Sequence, residues 1–118
     1  MAIRLFAYGT LRKGRASAEM ADVVASLRRV GKGIAHGRVY DMGAYPAAVF
    51  DASASTLIDG EVYEVPSLQV LQQLDAYEEF LPNHPSASLF VRKRKKIRMV
   101  ESGQDLMCWV YEYNRPLA

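Results

Sequence analysis

Two runs of strand-forming residues, 89–100 and 106–113, lie near the end of the chain with Ser102-Gly103 between them. This spacing predicts a long hairpin and commits much of the chain to a sheet. Upstream, residues 3–8 are apolar and β-rich and stop at Gly9, which predicts a first strand running straight into a loop. Met20, Val23, Val24 and Leu27 recur at helical spacing, so an amphipathic helix is predicted over residues 16–29. Gly31, Gly33 and Gly37 punctuate an extended region, residues 38–41 read as a strand with Met42-Gly43 as its turn, and Tyr45-Pro46 opens a short strand ending at Phe50. Asp59-Gly60 is a turn signal, followed by alternation over residues 61–65. Pro66-Ser67 starts a second helix, residues 67–79, and residues 81–88, with two prolines and an Asn, read as a loop. Strands dominate and two helices are too few for a doubly wound sheet, so the class is α+β with a mixed or barrel-like sheet.

A chain of 118 residues, half of them hydrophobic, fits one domain over residues 1–118 and supports a core without metal or disulfide. The formal net charge of +2 argues against a general polyanion binder. A single cysteine, Cys108, forms no intrachain disulfide, and His36 and His84 are too far apart in sequence to show metal-ligand spacing. Residues 1–10 lack the pattern of a signal peptide, and no stretch approaches the roughly 18 apolar residues of a membrane helix. The expectation is a soluble, cytoplasmic protein.

Three features compete for a functional site. Tyr8-Gly9-Thr10-Leu11 follows the first strand, where Gly9 allows a sharp turn and loop amides can converge on an anion or a carbonyl oxygen. Taken alone, the tetrapeptide favours a plain turn. The second helix carries an apolar stripe of Leu68, Val70, Leu71, Leu74 and Tyr77. Glu78 falls roughly 40° from its centre and Glu79 roughly 140° away, so adjacent glutamates have opposite predicted environments. A carboxylate on the buried side is desolvated and drawn toward the range useful for proton transfer. A helix-end cap or an arginine partner explains Glu78 equally well from these residues. In Arg92-Lys93-Arg94-Lys95-Lys96-Ile97-Arg98, six of seven residues are cationic. That is a phosphate-binding stripe or, favoured in the absence of interleaved aromatics, a solvent-facing strand whose charges discourage edge pairing.

Weaker features point to structure. Met107, Trp109, Tyr111 and Tyr113 share one strand face and read as core. Cys108 reads as a buried, inert thiol and the histidines as surface residues. Ser17 and Ser26 sit in no nucleophile motif, and the glycines at 31, 33 and 37 make no dinucleotide fingerprint.

In order along the chain, these motifs resemble the gamma-glutamyl cyclotransferase-like superfamily. Tyr8-Gly9-Thr10-Leu11 with Gly14 is similar to its Y-G-[ST]-L-x-x-G signature, and Gly37-Arg38-Val39-Tyr40 with Gly43 and Tyr45-Pro46 to its second stretch. Gly60-Glu61-Val62-Tyr63-Glu64-Val65 resembles the G-E-[VI]-Y-x-[VI] strand, Leu74-Asp75-Ala76-Tyr77-Glu78 resembles the L-D-x-[YF]-E helix end, and Arg92 and Val110-Tyr111 fit the last strands. Two positions depart from the pattern: Glu79 stands where the family usually has Gly, and Phe90 where Tyr is common. The resemblance implies a small mixed β-barrel with flanking helices and an enzyme that forms 5-oxoproline from a γ-glutamyl compound. It assigns catalysis to Glu78 and substrate binding to Tyr8, Gly9, Thr10, Leu11, Phe90 and Tyr111. It implies a small-molecule partner and no nucleic acid, membrane, metal or cofactor. Two rival classes remain at this point, a non-catalytic ligand-binding module on the same fold and a nucleic-acid binder using residues 92–98.

Overall fold

The computed structural model describes residues 2–8, 20–43 and 45–116. Strand β1 (Ile3–Ala7) runs antiparallel to β4 (Leu57–Val65) and parallel to β6 (Asp105–Tyr113). β4 pairs with β2 (Arg28–Asp41), and β6 pairs with β5 (Phe90–Met99) as the hairpin expected from Ser102-Gly103. β2 meets β5 where Gly33 faces Met99 and Ile34 faces Arg98, which closes a five-strand mixed barrel in the order β2-β4-β1-β6-β5. β3 (Pro46–Phe50) extends β2 outside that ring. Helices α1 (Ala21–Ala25) and α2 (Leu68–Tyr77) flank the barrel, giving the α+β architecture that the resemblance implies.

Strand alternation divides the core in two. Leu5 and Ala7 of β1 join Met20, Val24, Leu27, Leu71, Leu74 and Tyr111 in the layer beneath the helices. Phe6, with Tyr8 packed against the same cluster, joins Ile58, Val62, Ile97, Cys108 and Val110 inside the barrel. The two faces of one short strand therefore connect the helix layer with the barrel interior, and the interior face continues to Tyr8.

Four sequence expectations change. The first helix covers only Ala21–Ala25 among the described residues, because Arg28 already pairs with Glu64 in β2. Met20, Val24 and Leu27 are still buried, so the apolar stripe holds while strand pairing shortens the helix. The extended region and the strand at 38–41 are one 14-residue strand, irregular between Arg29 and Gly31. Asp59-Gly60 is not a turn but lies within β4, where Gly60 faces Gly33. A Cβ at Gly60 would stand 2.5 Å from the Ala7 carbonyl oxygen and 2.7 Å from the Phe6 ring, so this glycine marks a close approach rather than a reversal. Finally, Leu68 of the predicted stripe is 66% exposed, and the buried face of α2 runs through Leu71, Leu74 and Asp75.

Candidate active site

Ser67 caps α2, its hydroxyl accepting the Val70 N–H at 3.2 Å. The other end of the helix sets the site. The Glu78 N–H reaches the Leu74 carbonyl at 3.0 Å, Glu79 N–H reaches Ala76 at 3.2 Å and Phe80 N–H reaches Asp75 at 2.9 Å. This is a Schellman closure with Glu79 in the left-handed region at φ 57. The family's usual glycine would take that conformation without a Cβ penalty, so the departure at Glu79 is carried by backbone strain. The sharp turn leaves Glu78 half-buried and Glu79 exposed, the order expected from the helical count. Burial, then the neighbouring Glu79 charge, pushes the Glu78 carboxyl up to about 7.

Two tyrosines stand within electrostatic reach of Glu78. Tyr8 extends from β1, its ring edge-on to Phe50 at 6.1 Å between centroids. Its hydroxyl donates to the Tyr111 main-chain carbonyl. Burial and then the Glu78 charge raise its proton affinity. Tyr111 of β6 is 3% exposed and donates its hydroxyl to Asp75 Oδ1 at 2.7 Å. Burial first, then the bond to Asp75 and that residue's charge, raise the Tyr111 hydroxyl, with Glu78 adding to the effect and Arg92 opposing it. Tyr8 and Tyr111, named from sequence, thus both lie within the electrostatic influence of Glu78, at the C-terminal end of α2. Gly9, Thr10 and Leu11 lie outside the described residues.

Phe90 stands further along, 5% exposed and packed edge-on between Tyr45 and Tyr113, both 5.7 Å away. The Tyr45 and Tyr113 rings also meet edge-on, 6.2 Å between centroids, and the Glu79 charge acts on Tyr45. A phenylalanine suits position 90 because the ring is enclosed by other rings.

Sequence reasoning missed Asp75. It is 3% exposed and its Oδ1 accepts from both Tyr111 and Arg92 Nε, the latter at 2.8 Å. Arg92 lies over the Trp109 ring at 4.2 Å. The signal was available: Asp75 follows Leu71 by one helical turn and so belongs to the buried stripe. The basic run is likewise not uniformly solvent-facing. Arg92 pairs with Asp75, Lys93 with Glu112 at 2.8 Å and Arg98 with Asp105 at 3.5 Å, while Arg94, Lys96 and Arg98 are exposed. On the aromatic face of β6, Trp109, Tyr111 and Tyr113 pack into the helix-side core, but Met107 is 47% exposed at its far end. Cys108 is buried and its thiol is pushed up to about 11 by desolvation, against the Arg4 charge. His36 and His84 are exposed. Among the described residues no group of three or more His, Cys, Asp or Glu could hold a metal ion, and no helix is long and apolar enough to cross a membrane.

Fold and site together define a small mixed-barrel protein with a half-buried carboxyl at a helix end. Residues 5–118 match the family model described as gamma-glutamyl cyclotransferase, AIG2-like, and the chain belongs to that family. Among similar solved structures, an AIG2-like protein from Mus musculus has a TM-score of 0.78 at 22% identity, covering 98% of this chain and 80% of its own. YkqA from Bacillus subtilis has a TM-score of 0.73 at 23% identity over 97% of this chain, which spans only 36% of YkqA. A structure described as gamma-glutamyl cyclotransferase has a TM-score of 0.68 at 15% identity, covering 96% of this chain and 67% of its own. At these identities the likeness is one of fold. No curated protein matches the sequence.

Proposed function

We propose that the protein releases 5-oxoproline and an amine or amino acid from a small γ-glutamyl compound. The observation that carries this reading is Glu78, a half-buried carboxyl with its proton affinity raised to about 7, on the turn that ends α2. An α-ammonium is not a nucleophile until a base removes its proton, and a base poised near neutrality suits that step. Glu78 takes one proton from the α-ammonium, the α-nitrogen bonds to the γ-carbonyl carbon, and the carbon–nitrogen bond to the leaving amine breaks as Glu78 gives that proton to the amine; the ring nitrogen sheds its second excess proton as the lactam forms, and the released amine takes it up as an ammonium. Atoms and charge balance with no co-reactant. The attack is intramolecular, so holding the glutamyl chain curled supplies much of the acceleration. In this reading the amides of Gly9, Thr10 and Leu11 hold the carbonyl oxygen, and Phe90 and Tyr111 shape the substrate side. Family membership and the cyclotransferase fold support it. The test is 5-oxoproline release from a panel of γ-glutamyl amines and γ-glutamyl amino acids. Turnover that Glu78→Gln abolishes supports the reading, and turnover unaffected by that substitution sinks it.

A further inference from the structure

Six cations crowd residues 92–98, and Arg92, Lys93 and Arg98 have carboxylate partners. Among the described residues Arg94, Lys95 and Lys96 have none, and Arg94 lies instead over the Trp109 ring at 5.6 Å. Lys95 is the anomaly. On β5 it shares the inward face with Lys93, whose ammonium meets Glu112, and with Ile97, which is fully buried. Across the hairpin it stands opposite Cys108, a buried thiol. A half-buried ammonium turned inward has given up part of its hydration, and here no carboxylate replaces it.

The barrel wall opens beside this lysine. β2 turns one edge to both β5 and β3: the Lys32 carbonyl accepts the Val100 N–H at 3.0 Å, and the His36 carbonyl accepts the Asp51 N–H at 3.1 Å. Between these contacts β3 and β5 part. A cleft of about 220 Å³ lies there, with Phe50 and Asp51 at the end of β3, Lys95 and Lys96 on β5, and Ala35 and His36 of β2 lining it. His36 Nδ1 is 2.9 Å from the Ala54 carbonyl, an acceptor only, so Nδ1 carries the hydrogen and Nε2 of the neutral ring is an acceptor. The Asp51 carboxylate is held by its own turn, Oδ1 accepting from the Ser53 N–H at 2.9 Å and from Ser53 Oγ at 2.7 Å.

We propose that this cleft binds a phosphate-type oxyanion, either the free ion or the monoester of a small organic group. Lys95 and Lys96 supply the positive charge, and their ammonium groups donate to the phosphate oxygens. Phosphate monoesters lose their last proton near about pH 6, so a proton is on hand to join a phosphate oxygen to His36 Nε2; a carboxylate, ionised well below neutrality, brings none. Phe50 and Ala35 give an organic group an apolar wall, and the same Phe50 ring meets Tyr8 edge-on at 6.1 Å. The site stands whether or not Glu78 is the base.

Amide NMR of the full chain, titrated with inorganic phosphate, methyl phosphate and acetate at constant ionic strength, tests this. Saturable shifts centred on His36, Asp51, Lys95 and Lys96 are expected, with a Kd of about 1 mM or tighter for a phosphate. Tighter binding of methyl phosphate than of inorganic phosphate assigns the site to monoesters, and the reverse order assigns it to the free ion. Acetate should bind at least about tenfold more weakly. Lys95→Met keeps the apolar stem, removes the ammonium and should weaken phosphate binding by about tenfold or more. Arg94→Gln removes the same charge from outside the cleft lining and should change Kd by less than about twofold. No saturable shift, shifts centred elsewhere, acetate bound as tightly as phosphate, or equal losses in the two variants would each overturn the proposal. Equal losses would mean a diffuse attraction to the basic strand, with Lys95 an inward charge that guards the edge of β5. If Lys95→Met does not fold, the titrations of the wild-type protein decide alone.

Discussion

Glu112 Oε2 accepts the main-chain N–H of Phe50 at 2.7 Å, across 62 residues of sequence. β3 pairs with β2 on one side only, so Phe50 turns this N–H away from its sheet neighbour. The carboxylate on β6 satisfies it, and Lys93 of β5 holds the other carboxylate oxygen. The Glu112 side chain thus ties the free edge of β3 to the barrel. Glu112→Ala leaves a buried N–H unpaired and is expected to cost about 1.5–3 kcal/mol. Glu112→Gln keeps an acceptor and loses chiefly the half-exposed Lys93 pair, worth under about 1 kcal/mol. Denaturant melts give the energies. Amide exchange at Phe50 that is no faster in Glu112→Ala would contradict the assignment.

Gly60 is a tight point of the barrel wall. Its missing Cβ leaves room for the Phe6 ring and the Ala7 carbonyl, and its partner Gly33 lies against the same ring. Gly60→Ala forces backbone to move, because the 2.5 Å contact is with a main-chain oxygen. The expected loss is about 2–4 kcal/mol, above the usual range for a single methyl. A melting temperature within about one degree of wild type would show that the barrel yields more easily than packing predicts.

That position also explains what sequence could not tell. Asp-Gly reads as a reversal because the pair suits tight turns, and nothing local reveals that Phe6, 54 positions earlier, needs the space. The first helix was overextended for a similar reason, since pairing of Arg28 with Glu64 is a distant event. Where the signal was periodic it served well: α2, the hairpin and the opposed settings of Glu78 and Glu79 were all legible. Asp75 was overlooked because a polar residue on an apolar stripe was left out of the stripe. Its partners, Arg92 and Tyr111, come from strands that only the closed barrel brings beneath α2.

Glu79 occupies a conformation that costs an L-residue roughly 1–2 kcal/mol. Glu79→Gly relieves that strain but gives the unfolded chain more freedom, so a net gain of about 0.5–1 kcal/mol is expected. A calorimetric melt that moves down instead of up would mean that the Glu79 side chain has a stabilising role not visible in its exposed setting.

If Glu78 carries the proton, Glu78→Gln should lower kcat/KM by about 10²–10⁴-fold, because an amide accepts no proton at neutral pH. Glu79→Gln is the control and should change turnover by less than about threefold, by virtue of its exposed position. Assays of 5-oxoproline release on both folded variants settle the matter, and equal losses would show that the helical phase does not separate their roles.

The pH dependence of stability gives an independent reading of the same carboxyl. Folding raises Glu78 from 4.5 to about 7, through burial first and the Glu79 charge second. The native state therefore binds this proton more tightly than the unfolded chain does. Its contribution to stability is fully present below about pH 4.5, declines as pH rises, and is gone above about pH 7. Glu78→Gln is neutral throughout and escapes this loss. Its melting temperature should therefore gain on wild type between pH 5 and pH 8, by an amount worth at most about 3 kcal/mol. Glu79→Gly removes the second cause and should shift the wild-type inflection toward lower pH. In activity the sign is the same: the unprotonated base is required, so kcat/KM should fall about tenfold per pH unit below the midpoint. A difference between wild type and Glu78→Gln that stays flat from pH 5 to pH 8 would mean that Glu78 ionises as an ordinary surface carboxyl, and the case for it as the base would fail with it.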